Sequence, residues 1–285
     1  MKKNILKIVI ASLIIVGGLF FYSCQKDNSQ EQKQDIKEGR LLTNEQINLI
    51  GEKHNEFLKI ILENNISNEN KIQGVLYSKE VLETKYLGKT DNLTFKRNVA
   101  SSEKIKTTNE YMLEIKNNLS DKNNFVYFEK VLNYLNNTKK KKDVESISSF
   151  LDKVTKDMAS NKTEVRDYEA FLVFSSVLKS SAKFWLPKEL GGLGNYTYYK
   201  NNIASRAFST SENGENGEKK DEDKWKACAS DVLEADAMSA TSSFVVAALV
   251  TIASGGTLGG PAILGIAIES GVASTWAYYR SDNCK

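Results

Sequence analysis

The sequence predicts an all-α protein, with an N-terminal helical bundle followed by a disulfide-closed C-terminal helical hairpin. Three observations carry this reading. Apolar residues recur every three to four positions through much of residues 41–187, the period of an amphipathic helix. Only two prolines, Pro187 and Pro261, interrupt the chain, so long helices are free to form. Near the C-terminus a Gly/Ala-rich stretch without charge, residues 237–268, is bracketed by Cys228 and Cys284.

The chain opens with a basic segment containing Lys2, Lys3 and Lys7, followed by an apolar run over 8–22 that is too short for an ordinary spanning helix. Residues 1–23 therefore read as a signal peptide. The run ends Phe21-Tyr22-Ser23-Cys24, which resembles a lipobox with Phe21 in place of the usual leucine. That resemblance implies cleavage before Cys24, acylation of Cys24 with palmitate-type chains, and attachment to a membrane through that anchor. Gln25-Lys26-Asp27 is similar to the short export signal of Bacteroidota surface lipoproteins. It implies an outer-membrane lipoprotein on the cell surface, with a periplasm-facing position as the alternative. Residues 24–40 are rich in Gln, Lys, Asp and Glu and read as a disordered tether.

Three of the 39 basic residues fall in the segment to be removed, which contains no acid, so the mature chain carries 36 basic and 36 acidic residues. This balance gives no electrostatic reason to expect a nucleic-acid partner. The run Lys139-Lys140-Lys141-Lys142 reads as a solvated turn.

Helical signals then follow in order. Thr43-x-x-Gln46 resembles a capping box and precedes the stripe Ile47, Ile50, His54, Phe57, Leu58, Ile61 and Leu62, ending near Asn65. A weaker segment covers 72–87, and 88–102 is polar without a clear period. Further helices are predicted over 104–117, 123–135, 144–158 and 163–185. Leu186-Pro187 stops the last of these, and a Gly/Tyr loop over 191–199 is expected to pack through its rings. The helical domain is placed at 41–208 and a flexible linker at 209–224, where the text is Ser, Glu, Asn, Gly, Lys and Asp up to Lys224.

The hairpin is placed at 225–285, with helices near 229–253 and 261–279 around a glycine turn. An antiparallel pair brings its outer ends together, where Cys228 and Cys284 sit. With Cys24 acylated, these two remain to form a disulfide in an oxidising compartment. Two readings of the hairpin stay open. In one it inserts into a bilayer, with Trp225, Trp276, Tyr278 and Tyr279 as an interfacial belt, and its texture is then loosely similar to bacteriocin-like segments. In the other it is a tight soluble pair packed on the helical domain or on a second copy.

Catalytic groups are scarce. His54 is the only histidine, so a multi-histidine metal site is excluded and a Ser-His-Asp triad would have to use this residue. It lies on an apolar stripe, where a structural role is expected. Asp231, Glu234 and Asp236 read as a solvated helix start, and no metal or cofactor site is expected. Neither glycine-rich stretch is followed by the Lys-Ser/Thr of a phosphate loop.

Taken together, Gly51-Glu52-Lys53-His54-Asn55-Glu56-Phe57-Leu58, Ser180-Ser181-Ala182-Lys183-Phe184-Trp185 and the hairpin resemble uncharacterised helical lipoproteins of Bacteroidota. That resemblance implies a non-enzymatic interaction or structural protein with an unknown protein partner. The alternative is a membrane-active, pore-forming or bacteriocin-like effector.

Overall fold

In the computed structural model, residues 39–65, 71–88, 105–137, 142–199 and 217–284 are described. The signal peptide, Cys24, the tether up to residue 38, most of the polar stretch 88–102, the lysine run up to Lys141 and the first half of the expected linker lie outside them. The described residues carry helix and no strand.

Among the described residues these α-helices follow in order: α1 (Asn44–Asn65), α2 (Lys71–Leu82), α3 (Thr108–Asn118), α4 (Phe125–Asn136), α5 (Val144–Ser160), α6 (Val165–Trp185), α7 (Gly217–Ser254) and α8 (Gly260–Arg280), with a further helical segment at 195–199 between α6 and α7. A π-helical turn, Glu83–Leu87, continues α2.

Local chemistry sets most of the ends. α1 begins immediately after Thr43, at the N-cap position expected of it. α3 starts later than its apolar pattern suggests because Thr107 and Glu110 form a reciprocal capping box that fixes the first turn. Asp143 caps α5 through Ser146 N. α6 stops at Leu186, which adopts the extended conformation that a following proline imposes.

The segment from Asn44 onward packs as one compact unit. Its core is a set of four helices in which α1, α6, α7 and α8 touch in sequence around the set. α2 lies across α1 and α8, α3 and α4 lie against α7, and α5 lies against α6. The hairpin α7–α8 is therefore the centre of the bundle that it was expected to sit beside. A hairpin that is apolar all round needs neighbours on several sides, and the amphipathic helices supply them.

The expected linker needs a related correction. Residues 217–224 form the first two turns of α7. Their Glu, Lys and Asp content, which reads as linker text, is also that of good helix formers with acids in the first turn.

Close approach is built on two glycines. A Cβ on Gly51 would lie 2.5 Å from Ser180 Oγ and 2.8 Å from the Ser176 carbonyl, so α1 and α6 cross at this point. On Gly271 it would lie 3.1 Å from Leu58 N, which places α8 against α1. The small residues of the hairpin thus serve its contact with α1 as well as the contact between its own arms.

Candidate functional site: a buried polar chain across four helices

Each helix of the central set contributes one polar side chain to a single connected chain. α1 contributes His54, α6 Ser181, α7 Asp236 and α8 Ser270, and all four residues have no solvent exposure. Ser181 Oγ donates to the Asp236 carboxylate. His54 Nε2 lies 3.3 Å from Asp236 Oδ2, and His54 Nδ1 lies 2.9 Å from Ser270 Oγ, which also donates to the Ala267 carbonyl at 3.0 Å. One turn along α8, Ser274 accepts from Trp185 Nε1 at 3.2 Å.

The order serine, histidine, aspartate is that of a nucleophilic triad, but the setting differs. Solvent reaches none of the four side chains, and the Ser270 hydroxyl is engaged with the backbone of its own helix. A general base must reach the proton of a group that meets substrate, and these four side chains have no exposed surface among the described residues. The arrangement instead ties four helices in one register, a use to which buried polar groups are suited.

A second charged cluster lies further along the hairpin. Lys79 of α2 pairs with Glu269 of α8 at 2.5 Å, with Glu83 3.9 Å from the same ammonium. Burial raises the Glu269 carboxyl above the usual carboxylate range, and the charges of Lys79 and Lys106 oppose that rise. Burial, reinforced by the Glu269 charge, likewise pushes the Tyr111 phenol above its usual range. Lys106 pairs with Glu114 at 2.7 Å, and Glu114 accepts from Ser242 of α7. The one acid that interrupts the apolar C-terminal helix is thus largely shielded and paired.

At the opposite, cysteine-bearing end, Cys228 and Cys284 form the expected disulfide, with Cα atoms 4.8 Å apart. Asp231 accepts from Ser281 Oγ at 2.6 Å and Asn283 Nδ2 at 3.0 Å, holding the final turn Asp282–Cys284. Glu234 accepts from Asn136 Nδ2 at 2.6 Å, and burial raises its carboxyl to about 7. Asp231, Glu234 and Asp236 were expected at a solvated helix start. They lie in mid-helix instead, because α7 begins more than three turns earlier, and each has its own partner.

The aromatic residues proposed as an interfacial belt pack inward. Tyr278 is buried and stacks on Trp185 with ring centroids 5.1 Å apart, while Tyr196 meets it edge-on at 6.3 Å. Trp276 and Tyr279 are partly buried and pack against the cluster of Phe57, Ile61, Ala267, Ile268 and Val272. The Trp225 side chain lies outside the described residues. Residues 195–199, expected as part of a Gly/Tyr loop, are helical, and their Tyr196 and Tyr199 rings are buried, in line with the expected ring packing.

One group that sequence reasoning missed is Asp167 of α6. It is fully buried and accepts from Ser120 N at 2.7 Å, Asp121 N at 3.0 Å and Asn124 Nδ2 at 2.8 Å. It thereby fixes the turn between α3 and α4. Among the described residues, no three His, Cys, Asp or Glu side chains converge to hold a metal ion.

These features define a disulfide-closed helical bundle assembled around a hairpin that carries no charge between Asp236 and Glu269. Compared with known protein families, characterised proteins and solved structures, the chain matches none of them.

Proposed function

We propose that this chain is an exported bacterial lipoprotein, anchored through acyl chains on Cys24, that acts as a non-enzymatic interaction or structural protein at the cell envelope. The observation that carries the reading is the pairing of Cys228 with Cys284. It suits an oxidising compartment and leaves Cys24, placed directly after the apolar N-terminal run, as the remaining one of the three cysteines in the sequence. The burial of the lone histidine supports a binding or scaffolding role. The Gln25-Lys26-Asp27 tail favours the outer face of the outer membrane.

Mass spectrometry of the mature protein tests this directly. The expected product starts at acylated Cys24, and Cys24→Ala accumulates as the uncleaved precursor. An intact N-terminus, or a bare Cys24 thiol, overturns the reading. Protease treatment of intact cells separates surface from periplasmic display.

One observation favours the second reading, a membrane-active effector. The segment Lys226–Ser254 is long and apolar enough to cross a membrane, with just over half of its most apolar window buried within the fold. That reading requires dye release from vesicles by the chain from Gln25 onward, and intact vesicles end it.

A further inference from the structure

His54 and Asp236 are the two ionisable members of the buried polar chain, and their surroundings fix how many protons they hold. Both are fully buried, and they meet at 3.3 Å between α1 and α7. The single hydrogen of the Ser270 hydroxyl is directed to the Ala267 carbonyl, so this oxygen accepts from His54 Nδ1 at 2.9 Å, and Nδ1 carries a proton. The other nitrogen, Nε2, faces Asp236 Oδ2. A bare Nε2 would set its lone pair against a carboxylate oxygen inside the protein, so a second proton lies between the two.

The carboxylate's own partners lead to the same count. Asp167, equally buried, accepts three N–H groups, from Ser120, Asp121 and Asn124. Asp236 accepts one hydroxyl, from Ser181, on Oδ2, and its Oδ1 has no hydrogen-bond partner. A buried carboxylate with so few donors needs a counter-charge. Among the described residues, the charged groups of the surrounding helices are engaged elsewhere. Glu269 of α8 pairs with Lys79, Glu234 of α7 accepts from Asn136, Lys179 of α6 pairs with Asp152, and Lys53 of α1 pairs with Glu56. Glu52 and Lys183 are exposed, and buried Glu169 lies 12 residues, about 18 Å, before Ser181 along α6. His54 is the counter-charge that remains.

We infer that the His54–Asp236 pair takes up a proton as the chain folds, which makes the four-helix tie a pH-sensitive lock that weakens on the alkaline side. An unfolded histidine gives up its second proton near about pH 6.5, so above that pH folding must bind one proton from solution. The folded state then holds more protons than the unfolded state, and stability falls as pH rises. Between about pH 4 and 6.5 both states hold the proton, and the contribution of the pair is fully present. The inference concerns the fold itself and stands with or without an anchor on Cys24.

The test uses the chain from Gln25 onward, which contains the whole compact unit, with its single histidine isotopically labelled in the ring. Nuclear magnetic resonance at about pH 8 then reads the protonation of both ring nitrogens with no ambiguity of assignment. The expected result is a proton on each nitrogen in the folded chain and a neutral ring in urea. A folded ring with one protonated nitrogen overturns the inference, because Ser270 then donates to Nδ1 and Asp236 stands as an unpaired carboxylate. Asp236→Asn keeps the shape of the side chain and removes its charge, and its ring is expected to be neutral at the same pH. Urea unfolding supplies a second readout. Between about pH 7.5 and 8.5 the folding constant of the native sequence should fall about tenfold more than that of Asp236→Asn, and parallel profiles overturn the inference. If Asp236→Asn does not fold, the ring nitrogens of the native sequence decide alone.

Discussion

α5 and α8 are of similar length and are buried in opposite ways. α5 buries one stripe, Ile147, Leu151, Val154 and Met158, at three- and four-residue spacing. α8 buries side chains on nearly every face, from Ala262 to Tyr278, among them Ser270, Ser274 and Thr275. A one-sided helix states in its sequence where its partner lies. A helix that is apolar all round states only that it is enclosed, and both a protein interior and a bilayer meet that description. The polar residues inside α7 and α8 mark which enclosure applies here, because Asp236, Glu269 and Ser270 each meet a partner on another helix.

The sharpest way to break this comparison is to remove one polar tie from each environment. Asp236→Ala strands buried His54 and Ser181, and the expected loss is about 3–5 kcal/mol in urea unfolding. Removing Asp152 of α5, whose pair with Lys179 at 2.6 Å is exposed, is expected to cost no more than about 1 kcal/mol. Equal losses from the two substitutions would sink the distinction between tied interior and solvated surface.

Cys284→Ser is expected to lower stability by about 4 kcal/mol, the chain-entropy value for the loop between Cys228 and Cys284. A change below about 1 kcal/mol would mean that packing alone holds the hairpin closed. Gly51→Ala is smaller in effect, about 1–3 kcal/mol, because the added methyl meets the Ser176 carbonyl, which shifts only with the backbone of α6. A neutral result in thermal unfolding would show that α1 and α6 can move apart freely.

A modest effect is one of pH. Burial raises the Glu234 carboxyl to about 7, above its ordinary value of 4.5. Between these values the folded state binds more protons than the unfolded state, so stability falls as pH rises from about 4.5 to 7. Glu234 is only partly shielded from solvent, so the expected contribution is about 1–2 kcal/mol. Glu234→Gln should flatten that part of the stability profile, and an unchanged slope would assign the pH dependence elsewhere.

Much of this fold is legible in the sequence where one face is apolar. The ends of α1, α4, α5 and α6 fall close to the positions that apolar spacing and Pro187 indicate, and the disulfide follows from the hairpin's geometry. The placement of the hairpin is not legible, because uniform apolarity carries no direction. Asp167 is also hidden, since its partners are mostly backbone amides more than forty residues away. His54 and Asp236 did carry a signal. His54 falls on the apolar stripe of α1 and Asp236 is the last charge before the uncharged stretch, and burial of such a group demands a polar partner. That requirement identifies them as a pair in principle, although no spacing rule connects positions 54 and 236.

The tie between His54 and Ser270 joins positions 216 residues apart. During synthesis α1 therefore waits for α8. Until α8 emerges, the apolar stripe of α1 lacks one of its permanent neighbours, and chains that terminate early keep that stripe uncovered. Contacts of such long range make folding slow and leave nascent molecules prone to aggregation. Cells making this protein would have to shelter that stripe until α8 follows.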